Sequence, residues 1–234
     1  MSKIIVVLSG GLDSSVLLHH HLHRNDEVIA LSVDYSQRHK KELQYARLQC
    51  EEAGVRHEIV DLSSVGRLFT GSSQTDPNVA VPLGHYEQET MKATVVPNRN
   101  MILLSVALGL AVTHKAAGVS YGAHAGDHAI YPDCRSEFVD ALNAAAHLCD
   151  WHEVEIFRPF INKTKADVVK LGDELDVDFR RTWSCYQGWV FHCGQCGTCI
   201  ERREAFYLAG VADPTPYGPG SPTVEDLVRK NWKL

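Results

Sequence analysis

Apolar positions along the chain fall into short unbroken runs that alternate with helically spaced stripes. Ile4-Ile5-Val6-Val7-Leu8 is an apolar run bounded by glycines, so it predicts a buried strand over 3–8. A helix follows over 13–24, and Glu27 to Val33 forms a second strand ending at Asp34-Tyr35. Leu43, Ala46 and Leu48 give helical spacing to 37–53, and Gly54 stops it as a C-cap. A third strand covers 55–60. The stretch 63–97 is rich in Ser, Gly and Pro and poor in periodicity, which predicts a partly ordered lid or dimer contact. A strong helix spans 98–117, with Ile102, Leu103, Val106 and Leu110 on one face. A strand at 118–121, a helix at 134–149 introduced by Pro132, and a strand at 154–157 come next. The last helix of this series runs to Leu175, capped by Asn162 or Thr164. Such alternation predicts an α/β fold: a parallel five-stranded sheet with helices on both faces, over residues 1–180. Residues 181–234 are expected to form a small C-terminal lobe packed on it. Ligands bind such sheets beyond the strand C-termini, so the first turn, Asp34-Tyr35, Tyr121-Gly122 and Arg158-Pro159 are expected to share one cleft.

The turn after the first strand is Ser9-Gly10-Gly11-Leu12-Asp13-Ser14-Ser15. A strand, a glycine-rich turn and a helix start gather backbone N–H groups at the positive end of a helix dipole, a geometry suited to phosphate. Neither a Walker A loop nor a dinucleotide fingerprint is present. Ser-Gly-Gly-x-Asp-Ser resembles instead the pyrophosphate loop of enzymes that split ATP into AMP and pyrophosphate.

The chain has 234 residues, 44% hydrophobic and 22% charged, enough for a substantial core. Its net charge of -6 argues against a nucleic-acid surface. No apolar stretch reaches membrane-span length, and no signal-peptide pattern stands at the start, so a cytoplasmic location with no membrane partner is expected. An odd count of seven cysteines suggests no disulfide framework. Cys50, Cys134 and Cys149 read as core or surface thiols, and His19, His20, His21 and His23 as an exposed or half-buried helix face. Cys185, Cys193, Cys196 and Cys199 are clustered, the last three at Cys-x-x-Cys-x-x-Cys spacing. Four thiolates suit one closed, structural Zn2+ per chain. The spacing alone leaves an iron–sulfur cluster or free thiols open, and His192 is a neighbour that offers an alternative ligand.

Together these residues identify a resemblance that runs nearly end to end. Ser9 to Ser15, Asp34-Tyr-Ser-Gln-Arg-His39, Val96-Pro-Asn-Arg-Asn100 and Leu103-Leu-Ser105 belong to it. Asp127, Tyr131-Pro-Asp-Cys-Arg-Ser-Glu-Phe138, Thr164-Lys-Ala-Asp167, Ser184-Cys-Tyr and the cysteine cluster complete it. The chain resembles the 7-cyano-7-deazaguanine synthase family, nitrile-forming ligases of queuosine biosynthesis. Ser36 is one small departure, where glycine is as common. The resemblance implies an adenine nucleotide alpha hydrolase-like, Rossmann-like domain. It implies conversion of 7-carboxy-7-deazaguanine and ammonia to the 7-cyano base with ATP, releasing AMP and pyrophosphate.

Expected nucleotide contacts are Leu8, Ser9, Gly10, Gly11, Leu12, Asp13, Ser14, Ser15, Val16, Leu17 and Leu18, with Tyr35 framing the adenine. Asp13, Arg99 and Lys165 are the expected catalytic residues: Asp13 for Mg2+ or the loop, Arg99 and Lys165 for phosphate or the substrate carboxylate. Arg38, Asp127 and Asp133 are expected to contact the deazapurine, carboxylates being suited to its N–H donor edge. Plainer roles stay open for each: a first-turn acid for Asp13, a surface ion pair for Arg38, a helix-start lysine for Lys165, a surface position for Arg99, and loop caps for the two other aspartates. A sulfur-inserting tRNA enzyme and a non-catalytic zinc module are the competing readings; the first would need a free catalytic cysteine and a basic face. No glutaminase domain is apparent, and a homodimer is expected.

Overall fold

The computed structural model describes residues 2–234. Among them, β1 (Lys3–Val7), β2 (Glu27–Asp34), β3 (Arg56–Asp61), β4 (Gly118–Ser120) and β5 (Glu155–Phe157) form one parallel sheet in the order β3-β2-β1-β4-β5. The order reverses between β1 and β4, and a crevice opens there at the strand C-termini.

Strand alternation sends side chains to two cores. Ile5, Leu31, Val119 and Ile156 point to one face, covered by α4 (Arg99–Thr113) and α5 (Ser136–Cys149). Ile4, Val6 and Leu8 point to the other. There they meet Val16 and Leu17 of α1 (Leu12–His23), Ala46 of α2 (Lys41–Ala53), Val168 of α6 (Lys165–Glu174) and Phe206 of α7 (Gly197–Ala209). A short helix α3 (Ser63–Gly66) follows β3, and α8 (Val224–Arg229) lies near the C-terminus. No helix among the described residues is long and apolar enough to cross a membrane.

Several boundaries differ from the sequence reading, each for a local reason. Residues 37–40 are not helical. Ser36 takes φ +65°, and Gln37 turns inward to accept from the Tyr35 N–H and donate to the Val33 carbonyl and Glu42. The inward face of α2 is Glu42, Ala46, Gln49 and Cys50, while Leu48 is exposed. On α4 the buried face is Asn100, Leu104, Ala107, Leu108 and Ala111, one step around from the expected stripe. Pro132–Cys134 is a separate 3-10 turn, and α5 starts at Ser136. His21 is buried rather than half-exposed because its Nδ1 bonds Asp26 at 2.9 Å. Apart from α3 and a 3-10 turn at Glu89–Thr94, the 63–97 stretch is mostly irregular but packed: Ser72, Ser73, Gln74, Val81, Tyr86 and Met91 are all buried.

Gly10 has φ +87°, and a Cβ there would collide with the Glu42 carbonyl and sit 2.7 Å from the Ala46 amide. The first turn of α2 therefore requires glycine at this point. Gly10→Ala is expected to destabilise the fold by about 2–4 kcal/mol, combining left-handed strain with overpacking. Urea unfolding measures it, and an unchanged midpoint would contradict this packing.

Candidate active site and metal centre

The cleft lies at the sheet's switch point, where the C-terminal ends of β1, β2 and β4 face α4, α6 and the 183–201 segment. One end is polar. Ser9, Gly11, Leu12, Asp13 and Ser14 line it, with Lys165 opposite. The turn is held open by its own side chains. Ser14 Oγ accepts from the Ser9 N–H, Ser9 Oγ accepts from the Gly11 N–H, and Ser15 Oγ donates to the Gly11 carbonyl at 2.7 Å.

The expected nucleotide set divides between the cleft wall and the core. Leu8, Ser9, Gly11, Leu12, Asp13, Ser14 and Tyr35 line the cleft. Val16, Leu17 and Leu18 do not; they are fully buried core residues, because a helix pointing its N-terminus at a ligand turns its second turn into the protein. Gly10 faces α2, and the Ser15 hydroxyl is spent within the turn.

Lys165 is the first residue of α6, whose N-cap Thr164 forms a capping box with Asp167. Its Nζ lies 2.6 Å from Asp13 Oδ2 and 3.4 Å from Glu201 Oε2. Burial would discharge the amine, but Asp13, Glu201 and Asp127 outweigh it and raise its pKa. Burial likewise opposes ionisation of Asp13, yet Lys165 and His124 pull its carboxyl below the usual value of 3.8. That depressed value gives a pH signature. The pair's contribution is present above the unfolded carboxylate range and is lost as pH falls through the folded value. Asp13→Asn is therefore expected to cost about 1–3 kcal/mol at pH 7 and progressively less as the pH drops below about 4. Paired urea titrations at neutral and acidic pH check it; a pH-independent difference would refute the linkage.

Two residues of this end had no sequence signal of their own. His124 is 1% exposed; its Nδ1 accepts from the Gly126 N–H, and its Nε2 lies 3.3 Å from Lys165 Nζ and 3.6–3.9 Å from the Asp13, Asp127 and Glu201 carboxylates. Glu201, on α7, is carried in by the cysteine segment that precedes it. Burial pushes its carboxyl above the ordinary value against the pull of Lys165 and His124.

The other end is aromatic. Tyr35, Tyr86, Tyr121, Tyr131 and Tyr186 line the cleft together with Arg99, whose guanidinium sits 5.6 Å from the Tyr131 ring centre. Tyr131 OH bonds Thr94 Oγ1 at 2.6 Å and approaches Tyr186 OH at 3.5 Å. Burial pushes the Tyr35 phenol up to about 12, so it stays protonated. No carboxylate lies within ion-pair distance of Arg99 among the described residues; its Nε donates only to Asn100 Oδ1, at 3.4 Å. Tyr86 and Thr94 belong to the long coil, which thus supplies part of the wall.

Of the expected substrate contacts, only Asp127 lines the cleft, accepting from Tyr86 OH at 3.1 Å and from the His124 N–H. Asp133 instead accepts from the Asn100 N–H at 3.0 Å, filling an open donor at the start of α4. Arg38 turns away: its Nη2 donates to the Asp76 and Val79 carbonyls, tying down the long coil. Arg158 also lies outside the cleft, paired with Asp140. Cys134 was read as a plain thiol, yet it lines the cleft, with Asn100 Nδ2 3.2 Å from its Sγ.

Cys185, Cys193, Cys196 and Cys199 converge so that their sulfurs all lie within 4.8 Å of one another, every one buried. Gly194 at φ +72° lets the chain reverse, and the Gln195 and Cys196 amides donate to Cys193 Sγ at 3.4 and 3.2 Å. A buried, four-sulfur donor set with amides aimed at sulfur fits a metal ion. His192 is not one of the ligands: its Nε2 accepts from the Ser184 N–H, and its ring packs 4.2 Å from Trp183.

Known proteins match this architecture at two depths. The chain shares its fold with NMN synthetase from Francisella tularensis (17% identity, 98% of this chain and 82% of that one, TM-score 0.50). It also shares it with a 4-thiouridine synthetase solved with RNA and ATP (14% identity, 99% and 50%, TM-score 0.51). Sequence similarity is far closer to proteins named 7-cyano-7-deazaguanine synthase. That of Psychromonas ingrahamii is 49% identical over 92% of this chain and 97% of its own. That of Rhizobium meliloti is 52% identical over 92% of each. The model of the queuosine biosynthesis protein QueC family matches residues 3–210, and the chain belongs to that family.

Proposed function

We propose that the chain is an ATP-dependent ligase that converts 7-carboxy-7-deazaguanine and ammonia to 7-cyano-7-deazaguanine. The observation that carries this reading is the polarity of the cleft. A phosphate-binding turn with Lys165 stands at one end, and an arginine without a carboxylate partner stands among tyrosines at the other. Triphosphate and deazapurine carboxylate fit those two ends.

A carboxylate resists ammonia because its oxygen leaves poorly. Arg99 holds the substrate carboxylate, and one carboxylate oxygen attacks the α-phosphorus of ATP. The bond to the bridging oxygen breaks, and its electron pair departs with pyrophosphate. The turn amides and Lys165 receive that charge without reorganising. The lone pair of ammonia then forms the C–N bond, the C–O bond breaks with its pair going to AMP, and a proton is lost from nitrogen. In a second adenylation the amide oxygen attacks the α-phosphorus of another ATP and pyrophosphate leaves. The C–O bond then breaks with its pair going to AMP, and loss of both protons from nitrogen gives the nitrile. The tyrosine ring faces and Leu103 enclose the flat base, Asp127 accepts from its N–H edge, and Leu8, Leu31, Val33 and Tyr35 frame the adenine. Asp13 keeps Lys165 charged and aimed. Mg2+, bound with ATP, neutralises phosphate charge. The four sulfurs hold Zn2+ as a structural ion. Cys134 takes no part as a nucleophile, since burial and the Asp127 charge push its thiol up, the direction that suppresses thiolate. The chain works as a cytoplasmic homodimer, which light scattering tests.

Mass spectrometry after incubation with 7-carboxy-7-deazaguanine labelled with heavy oxygen in its carboxylate tests the reaction. The expected outcome is the nitrile, with label in the released AMP. Product without label in AMP would refute adenylation.

A further inference from the structure

A second hollow, of about 720 Å³, lies behind the polar end of the cleft, and the two share Tyr86, Lys165 and Glu201 as a common wall. Glu201 is 9% exposed; its Oε2 has only the Lys165 ammonium beside it, and its Oε1 receives no hydrogen bond among the described residues. Oε2 is 3.4 Å from Lys165, and the nearest imidazole nitrogen to Oε1, His124 Nε2, is 3.8 Å away. Asp13 Oδ1 is also buried without a partner, 3.9 Å from the same nitrogen. Asp127 Oδ2 lies 3.6 Å from it. Three carboxylates thus converge around one lysine and one imidazole, with acceptor oxygens to spare. Buried carboxylate oxygens are strongly disfavoured without donors. Gly126 borders the second hollow, and a Cβ there would stand 3.2 Å from Glu201 Oε1. The backbone therefore leaves room beside that oxygen.

A small cation carrying several N–H donors satisfies both shortages, of charge and of hydrogen. Resting on the ligase reading above, we propose that Glu201 is the ammonium-binding residue, holding the cation between the two hollows so that nitrogen enters through the outer one, gives up one proton to the Glu201 carboxylate, and meets the activated substrate in the cleft as ammonia. The lysine ammonium already seated among these oxygens, at 2.6 and 3.4 Å, shows the spacing that N–H donors adopt there. Magnesium demands oxygen distances of about 2.0–2.1 Å in an octahedron, a different arrangement.

Steady-state kinetics with two nucleophiles test the assignment: ammonium chloride, and hydroxylamine, which is uncharged at neutral pH. In the unaltered protein, rubidium chloride, a cation of ammonium's size, is expected to compete with ammonium and to leave the KM for hydroxylamine in place. Glu201→Gln is expected to raise the ammonium KM roughly ten- to hundredfold, the loss of one hydrogen bond to a charged partner, and the hydroxylamine KM far less. Absence of rubidium competition overturns the proposal, and so does a variant in which both KM values move together. If the unaltered protein makes no product with either nucleophile, the ligase reading fails and this inference falls with it.

Discussion

Lys165→Ala is expected to lower kcat for carboxylate-dependent pyrophosphate release about 10³-fold, at the upper end of what one preorganised electrostatic donor supplies. Two effects combine. In the proposed reaction Lys165 places its charge where pyrophosphate leaves, so its loss would fall on the transition state rather than on ATP binding alone. The same lysine compensates Asp13 and Glu201, 2.6 and 3.4 Å away. Without it, two carboxylates face the triphosphate uncompensated, and the phosphate end turns from attractive to repulsive. Removing one partner of a largely buried pair also costs about 3–5 kcal/mol of stability. Lys165→Ala therefore separates from an ordinary destabilising change only if both quantities are read. Circular dichroism and urea unfolding establish the folded fraction, and kcat per folded molecule is then compared. Lys165→Ala combined with Asp13→Asn should recover part of the stability, since the repulsion is relieved, and none of the rate. A rate near wild type in folded Lys165→Ala would remove the electrostatic account of this wall.

The sequence made the sheet legible because buried parallel strands are short, nearly continuous apolar runs, and a Gly or Thr cap marks one end of α1, α2, α6, α7 and α8. The glycine-rich turn and the four cysteines were legible for the same reason: each motif is a matter of local spacing. What stayed hidden depends on distance along the chain. Glu201 and His124 look ordinary in sequence, and only the fold brings them within 3.8 Å. Arg38 and Asp133 looked like ligands because they sit in motifs at the sheet edge, but their side chains satisfy backbone groups of neighbouring segments. The 63–97 coil shows no periodicity because its order comes from contacts with other segments. Tyr86 reaches Asp127 and Thr94 reaches Tyr131, pairs 41 and 37 residues apart. Val16, Leu17 and Leu18 follow the motif directly in sequence, yet their side chains belong to the core.

Removing the metal is expected to abolish activity and lower Tm by about 10–20 °C, a loss of roughly 5 kcal/mol in a chain of this size. The reason lies in what the cysteine segment carries. Trp183 anchors the segment to the phosphate turn through its N–H bond to the Gly10 carbonyl, and Lys41 stacks over its ring. Ser184, Tyr186, Thr198 and Glu201 all line the cleft; Tyr186 and Thr198 lie within the stretch that the four sulfurs tie together, and Ser184 and Glu201 lie just outside its two ends. Tyr186 in turn packs against His39 and meets Tyr131, so the aromatic end loses its wall as well. A chelator or Cys196→Ser should therefore raise the KM for both ATP and the deazapurine before the sheet itself unfolds. A four-sulfur site leaves no open position for water or substrate, so its ion shapes the cleft without entering the chemistry. Reconstitution with cobalt separates those roles. Tetrahedral cobalt–thiolate absorption should appear, and kcat should match that of the zinc protein within about twofold, because a closed site transmits geometry and not Lewis acidity. A kcat that follows the identity of the metal would place the ion in the reaction, and metal-free protein with full activity would leave the four sulfurs without the structural role argued here.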